Sequence, residues 1–250
     1  MADYITADFK EWMKMAEEGN LVAQWQVGEG YYDGTIGKQD YAEAFKWFMK
    51  SAEQGYSKAQ ANLGYMYYYG EGVKQDYAEA FKWFMTTLKN RSCSDTLKMV
   101  AQTFIGYMYY YGQYVEEDFS EALKWFKKSV KTFEEDDTLI CINGQLEYAL
   151  DAMYYIGCIH YYGKGTAKDY VKAFKWFMKT AKTFGEKRQN CDEYYENVLN
   201  SVYQIGYMYY YGEGVKQDGA EALKWIEKAA ENGHERAEEY LKQLVAPRKG

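Results

Sequence analysis

The sequence predicts an all-α chain, an α-solenoid of five helix-turn-helix repeats with a helical cap at each end. Three observations carry that expectation: a seven-residue motif that recurs, a tryptophan at fixed distance behind each copy, and an almost complete lack of proline. Gly64-Tyr-Met-Tyr-Tyr-Tyr-Gly70 returns unchanged at 106–112 and 206–212, and weaker relatives occupy 28–34 and 157–163. The first glycine of each copy stands 19 residues before Trp47, Trp83, Trp125, Trp176 or Trp225. From one tryptophan to the next glycine the intervals are 17, 23, 32 and 30 residues. Length is fixed inside the unit and free between units, which is the signature of a rigid hairpin with insertions on its return connections. The one proline, Pro247, leaves helices uninterrupted almost everywhere.

Each part of the unit has its own signal. In the first helix, residues four apart form an apolar stripe: Ala59, Leu63, Tyr67; Ala101, Ile105, Tyr109; Ala152, Ile156, His160. Such residues share one face and pack on the partner helix. A glycine beside the aliphatic member lets the helices approach closely, and Gly34, Gly70, Gly112, Gly163 or Gly212 ends the helix as a left-handed cap. The second helix opens at Asp40, Asp76, Asp118, Asp169 or Asp218, seven residues before its tryptophan. Glu43, Glu79, Glu121 and Glu221 follow three residues later and complete the pattern of a capping box, which Lys172 breaks in the fourth unit. Alanine three before each tryptophan (Ala44, Ala80, Ala122, Ala173, Ala222) supplies the small partner at a helix crossing, and the tryptophan is expected to be core.

The pattern A-x-x-x-L-G-x-x-Y-x-x-G-x-G-V-x-x-D-x-x-x-A-x-x-W, read from Ala59 to Trp83, resembles the Sel1-like repeat (SLR) family, which is related to tetratricopeptide repeats. The linking pattern A-x-x-G-x-x-x-A at Ala16–Ala23, Ala52–Ala59 and Ala230–Ala237 belongs to the same resemblance, which spans about residues 8–245. Ile36 and Tyr114 depart from it at the second loop glycine, and His160 at the packing tyrosine. The resemblance implies one right-handed superhelical domain over 1–250, with units at about 20–50, 56–90, 96–133, 143–184 and 194–230 and a C-terminal cap helix at 234–245. It also implies that the first helices line a concave groove. The roles it implies are scaffold, adaptor or host-interaction protein, including immunity-type proteins that block a toxin.

The candidate contact surface is a tyrosine stripe on the first helices. Four residues after each motif glycine stand Tyr32, Tyr68, Tyr110, Tyr161 and Tyr210, and one further on stand Tyr69, Tyr111, Tyr162 and Tyr211, with Asp33 in the first unit. Tyr65, Tyr107 and Tyr207 lie one turn earlier, and Tyr154 and Tyr203 one turn before those. Tyrosine offers a large rigid ring and a hydroxyl, suited to proteins, peptides or sugars. Duplication of one ancestral unit would also copy tyrosine with no binding role. Tyr68, Tyr110 and Tyr161 are expected near the centre of the surface.

Other chemistries find little support. A formal charge of −7 opposes nucleic acid and favours a protein partner that is neutral or basic where it touches. Cys93, Cys141, Cys158 and Cys191 form no CxxC pair, and His160 and His234 stand outside any metal-type cluster. Gly28-Glu-Gly30-Tyr-Tyr-Asp-Gly34 lacks the lysine and hydroxyl of a phosphate loop. Cysteine-rich members of the family associated with β-lactamase activity carry a cysteine pair in each repeat, which this chain does not. The expected function is therefore non-catalytic binding of a partner protein or peptide, with no metal and no cofactor. A small-ligand or glycan binder is the alternative, and a hydrolase comes last. The first eighteen residues show no signal-peptide pattern and no stretch reaches the ~18 apolar residues of a membrane span, so the chain as written is expected to be cytoplasmic. A leader removed beforehand would leave no trace.

The long returns after Trp125 and Trp176 share Lys-Thr-Phe (Lys131–Phe133, Lys182–Phe184) and then turn acidic and polar. They are either inert surface extensions or a raised wall along one edge of the groove, and the first helices of units four and five are expected to be about two turns longer.

Overall fold

The computed structural model describes residues 7–135, 145–187 and 195–245. Among them there are twelve helices and no strand. The chain forms two compact units, 1–117 and 118–250. The first holds α1 (Ala7–Glu17), α2 (Leu21–Asp33), α3 (Tyr41–Glu53), α4 (Ser57–Tyr69), α5 (Tyr77–Lys89) and α6 (Asp95–Tyr111). The second holds α7 (Phe119–Glu135), α8 (Gln145–Tyr162), α9 (Tyr170–Lys187), α10 (Glu196–Tyr211), α11 (Gly219–Glu231) and α12 (Glu235–Val245). Within each unit every helix packs on the next in sequence, and the first helices of successive repeats also touch, α4 on α6 and α8 on α10.

The hairpins close where the residues demand. Gly34, Gly70, Gly112 and Gly212 all cap their helices with φ between 65° and 77°, the left-handed region open to glycine at little cost. Each N-cap aspartate accepts backbone N–H groups of the first turn: Asp76 takes those of Ala78 and Glu79 at 2.9 and 3.1 Å. The capping box is only half formed, contrary to the sequence pattern. The aspartate's own N–H is already used by the first helix, with Asp40, Asp76, Asp169 and Asp218 donating to the carbonyls of Tyr31, Tyr67, His160 and Tyr209 at 2.9–3.0 Å. Glu43, Glu79 and Glu221, released from that duty, pair with Lys46, Lys82 and Lys224 one turn on. A glutamine just before the aspartate adds a second tie: Gln39, Gln75 and Gln217 donate to the carbonyls of Tyr32, Tyr68 and Tyr210. These bonds explain why no residue can be inserted between motif and tryptophan.

The core differs from expectation at one position. The alanines three before each tryptophan are buried, but the tryptophans are only half-buried. Lysines three residues on lie over the rings of Trp47, Trp125, Trp176 and Trp225. The fully buried ring belongs to the next residue, Phe48, Phe84, Phe126 or Phe177, with Ile226 in the last repeat. A Cβ placed on Gly28, Gly64 or Gly157 would stand 2.6 Å from Phe48, Phe84 or Phe177, and one on Gly206 would stand 2.7 Å from Ile226. The motif glycine is thus the socket for the residue after the tryptophan. Gly64→Ala should cost about 1–3 kcal/mol by overpacking, read as a lower denaturant midpoint. An unchanged midpoint would show that Phe84 swings aside freely.

The insertions lengthen both flanking helices. α7 and α9 have 17 and 18 residues against 13 in α3, α5 and α11, and α8 and α10 have 18 and 16 against 13 in α2 and α4. The first helices of units four and five therefore exceed α2 and α4 by about one turn rather than two, and α6, with 17 residues, is as long as they are. Lys-Thr-Phe is helix, not loop, and Phe133 and Phe184 anchor it from buried positions. The acidic returns read as a wall lie outside the described residues. At the ends, α1 buries Ala16 against Ala23 and Val27, and α12 buries Ala237.

Candidate functional site: the tyrosine face of the first helices

The register of each first helix sorts its tyrosines into two kinds. At four residues past the motif glycine, Tyr32, Tyr68 and Tyr161 turn toward the next repeat, and their hydroxyls are held there. Tyr32 donates to Glu71 at 2.7 Å, and Tyr161 donates to Glu213 at 2.7 Å. Tyr68 is only 8% exposed and takes a hydrogen bond from the Gln113 side chain. Tyr210 reaches the capping helix, where its ring lies 5.8 Å from that of Tyr240 and their hydroxyls bond. Glu71, Gln113 and Glu213 each follow the glycine that caps the following repeat's first helix. Glutamate accepts from the phenol, whereas the glutamine amide donates to it, so the contact survives with its direction reversed.

Burial and the neighbouring carboxylates hold the phenols of Tyr32 and Tyr161 well above the usual tyrosine range, and burial pushes Tyr68 up to about 12. This row is a lock between repeats. Tyr68 and Tyr161, expected at the centre of a contact surface, spend their hydroxyls within the protein. Tyr110 is half-buried, its ring 5.0 Å from Tyr111.

One residue further on, the rings face out. Tyr69, Tyr111, Tyr162 and Tyr211 are 49–57% exposed, although each is apolar over most of its area. They rest on the row one turn earlier: Tyr65 lies 4.5 Å from Tyr69 and Tyr207 lies 4.5 Å from Tyr211, centroid to centroid. Tyr65, Tyr154, Tyr203 and Tyr207 are half-buried, and Tyr107 is buried. In the first unit Glu29 and Asp33 continue the face, with Glu29 bonded to Asn62 at 2.7 Å and its carboxyl raised by burial. In the second unit a cleft of about 570 Å³ opens between α8, α10 and the start of α12, lined by Tyr154, Glu196, Asn200, His234 and Arg236. The sequence signalled the tyrosines but not Asn200, Arg236 or Tyr240, which stand outside the repeating motif.

Other reactive groups are spoken for. Cys93 and Cys158 are buried thiols, pushed up to about 11 and about 12 by burial, and so disfavoured as nucleophiles. Cys141 and Cys191 lie outside the described residues. His160 is buried at the packing position where other repeats carry tyrosine, and burial lowers its pKa. Among the described residues, no group of three or more potential ligands could hold a metal ion, and no helix is long and apolar enough to cross a membrane.

Comparison with known proteins agrees with this geometry. A Sel1 repeat protein from Oxalobacter formigenes is similar over 98% of this chain and 83% of its own, at 25% identity and a TM-score of 0.69. A protective antigen of uropathogenic Escherichia coli strains, described as displaying an SLR fold, is 26% identical with a TM-score of 0.59. That alignment takes in 98% of this chain but only 54% of the antigen. A Sel1 repeat protein described from Klebsiella pneumoniae subsp. pneumoniae shares the fold at 20% identity, with a TM-score of 0.51 over 94% of this chain and 98% of its own. No curated protein matches the sequence significantly. Proteins of this repeat class are generally interaction scaffolds and typically non-catalytic. The Sel1 repeat model matches residues 21–56, 57–84, 100–131, 150–182 and 200–234, more than half of the sequence, and the chain belongs to the Sel1 repeat family.

Proposed function

We propose that this chain is a scaffold or adaptor that binds a partner protein or peptide through the exposed tyrosines of its first helices. One observation carries the reading. At a single register, Tyr69 and Tyr111 in one unit and Tyr162 and Tyr211 in the other remain half exposed, while Tyr32, Tyr68 and Tyr161 of the adjacent row are tied to the following repeat by their hydroxyls. Rings held by neighbouring rings lose little further entropy on binding, and central aromatic anchors dominate contact energies. The acidic balance of the chain, continued on this face by Glu29 and Asp33, suits a partner that is neutral or basic at its contact. A host-interaction or immunity role is the narrower form of this reading. The likeness to a protective antigen of uropathogenic Escherichia coli is what supports it.

The full chain used as bait, with captured proteins identified by mass spectrometry, supplies the partner. Replacing Tyr69 and Tyr111 together by alanine should then weaken the captured interaction at least ~10-fold, with helical content retained. Unchanged affinity would remove the tyrosine face from the interaction.

The cleft beside Tyr154 favours a second reading, a small polar ligand or glycan. Protection against heat by added sugar, lost in Tyr154→Ala, would favour it over the first. Turnover of a chromogenic β-lactam would favour a hydrolase over both.

A further inference from the structure

Helix α12 is started by a side chain that can titrate. In the A-x-x-G-x-x-x-A link, the residue after the glycine is the N-cap of the next helix. Asn20 fills it with Oδ1, accepting the N–H groups of Val22 and Ala23 at 3.0 Å, and Tyr56 fills it with no side-chain bond. At the third link the residue is His234, and its Nδ1 accepts the Ala237 N–H at 3.1 Å. The other ring nitrogen, Nε2, lies 3.1 Å from Asn200 Oδ1 on α10. Asn200 is oriented by its own amide, which donates to Asn197 Oδ1. An amide N–H needs an unprotonated Nδ1 and a carbonyl oxygen needs Nε2–H, so the two bonds together define a neutral imidazole of one tautomer. His234 is a buried residue, 9% exposed, and its ring stacks on Tyr203 at 4.7 Å and 19°.

We infer that His234 is an acid-sensitive cap, and that its protonation loosens α12 from α10 and α11. A proton on Nδ1 sets a donor against the Ala237 N–H, which keeps only its shared bond to the His234 carbonyl and loses the side-chain cap. It also places a cation at a helix N-terminus, where the helix dipole opposes it. The charged and titratable groups around the ring are Arg236 and Glu235 on α12, Glu196 and Tyr203 on α10, and Tyr154 of α8 across the cleft. From α11 the Ala229 carbonyl accepts the His234 N–H at 3.0 Å. Burial and Arg236 oppose the cation more than Glu196 and Glu235 favour it, and the folded pKa is lowered.

The direction follows from linkage. With α12 released, the imidazole titrates near its ordinary ~6.5. The docked state holds fewer protons, so docking is at full strength above that value. It then weakens as the pH falls toward the lowered folded value, by about tenfold per pH unit at the limit. Loosening α12 frees Tyr210 from Tyr240 and opens the cleft that His234 and Arg236 line.

The test is amide exchange of residues 238–242 in the full chain, corrected for intrinsic rates, between pH 7.5 and 5.5. Opening should rise by up to ~10-fold per unit below 6.5, while the α8 amides around His160 keep their protection. His234→Asn retains a short acceptor, as at Asn20, and removes the titration, so its α12 opening should not vary with pH. The inference is overturned if the parent's α12 shows no such rise, if the asparagine variant rises equally, or if α8 opens in step with α12.

Discussion

Phe84→Ala should be among the most damaging single substitutions in the first unit, costing about 3–5 kcal/mol, more than Trp83→Ala. Phe84 is fully buried in the socket left by Gly64, and its ring stacks on Phe104 at 4.9 Å and 9°. Truncation leaves a cavity bounded by two first helices, α4 and α6, so it weakens two repeats at once. Trp83 is half-buried, and its indole N–H is enclosed without a protein partner, which offsets part of the gain from its ring. Chemical denaturation of parent, Phe84→Ala and Trp83→Ala orders the three. A midpoint lower for Trp83→Ala than for Phe84→Ala would return the tryptophan to the centre of the core.

That exchange of roles shows what the sequence could convey. Periodicity locates a buried face to within one residue of a helix, about 100° of rotation. The invariant tryptophan drew attention because tryptophan is rare, yet Phe48, Phe84, Phe126 and Phe177 stand beside it in four of the five units, with Ile226 in the fifth. Their depth depends on which residue opposes the glycine, a tertiary fact. The hairpins, glycine caps and aspartate caps were legible because each is local, with cap partners two to five residues away. The half-formed capping box was not, since the competing acceptor is a carbonyl nine residues back, at Tyr31, Tyr67, His160 or Tyr209. The cap at His234 was hidden for a different reason. A histidine in a charged segment gives no sign of the Asn200 and Tyr203 that fix its tautomer.

Tyr68→Ala and Tyr69→Ala should separate folding from recognition, although they delete the same side chain one residue apart. Tyr68 packs edge-on to Phe104 at 4.9 Å and to Tyr77 at 5.3 Å, and Gln113 bonds its hydroxyl. Its removal should cost about 3–5 kcal/mol, as for other large buried rings. Tyr68→Phe keeps the packing and strands the Gln113 amide, so about 1–3 kcal/mol is expected. Tyr69 also touches Phe104, at 6.0 Å, but half of its surface stays in water. Tyr69→Ala should therefore cost about 1 kcal/mol or less in stability, since little packed area is lost. Any partner seated on the face should feel the opposite order per folded molecule, with Tyr69→Ala the more harmful. The repeat makes the comparison general, because Tyr161 and Tyr162 stand in the same relation in the second unit. If Tyr69→Ala unfolds the chain and Tyr68→Ala does not, the lock and the open face have been exchanged. If both leave the denaturant midpoint unchanged, the glycine-plus-four row does not hold the repeats together, and the hydrogen bonds from Tyr32 and Tyr161 contribute little.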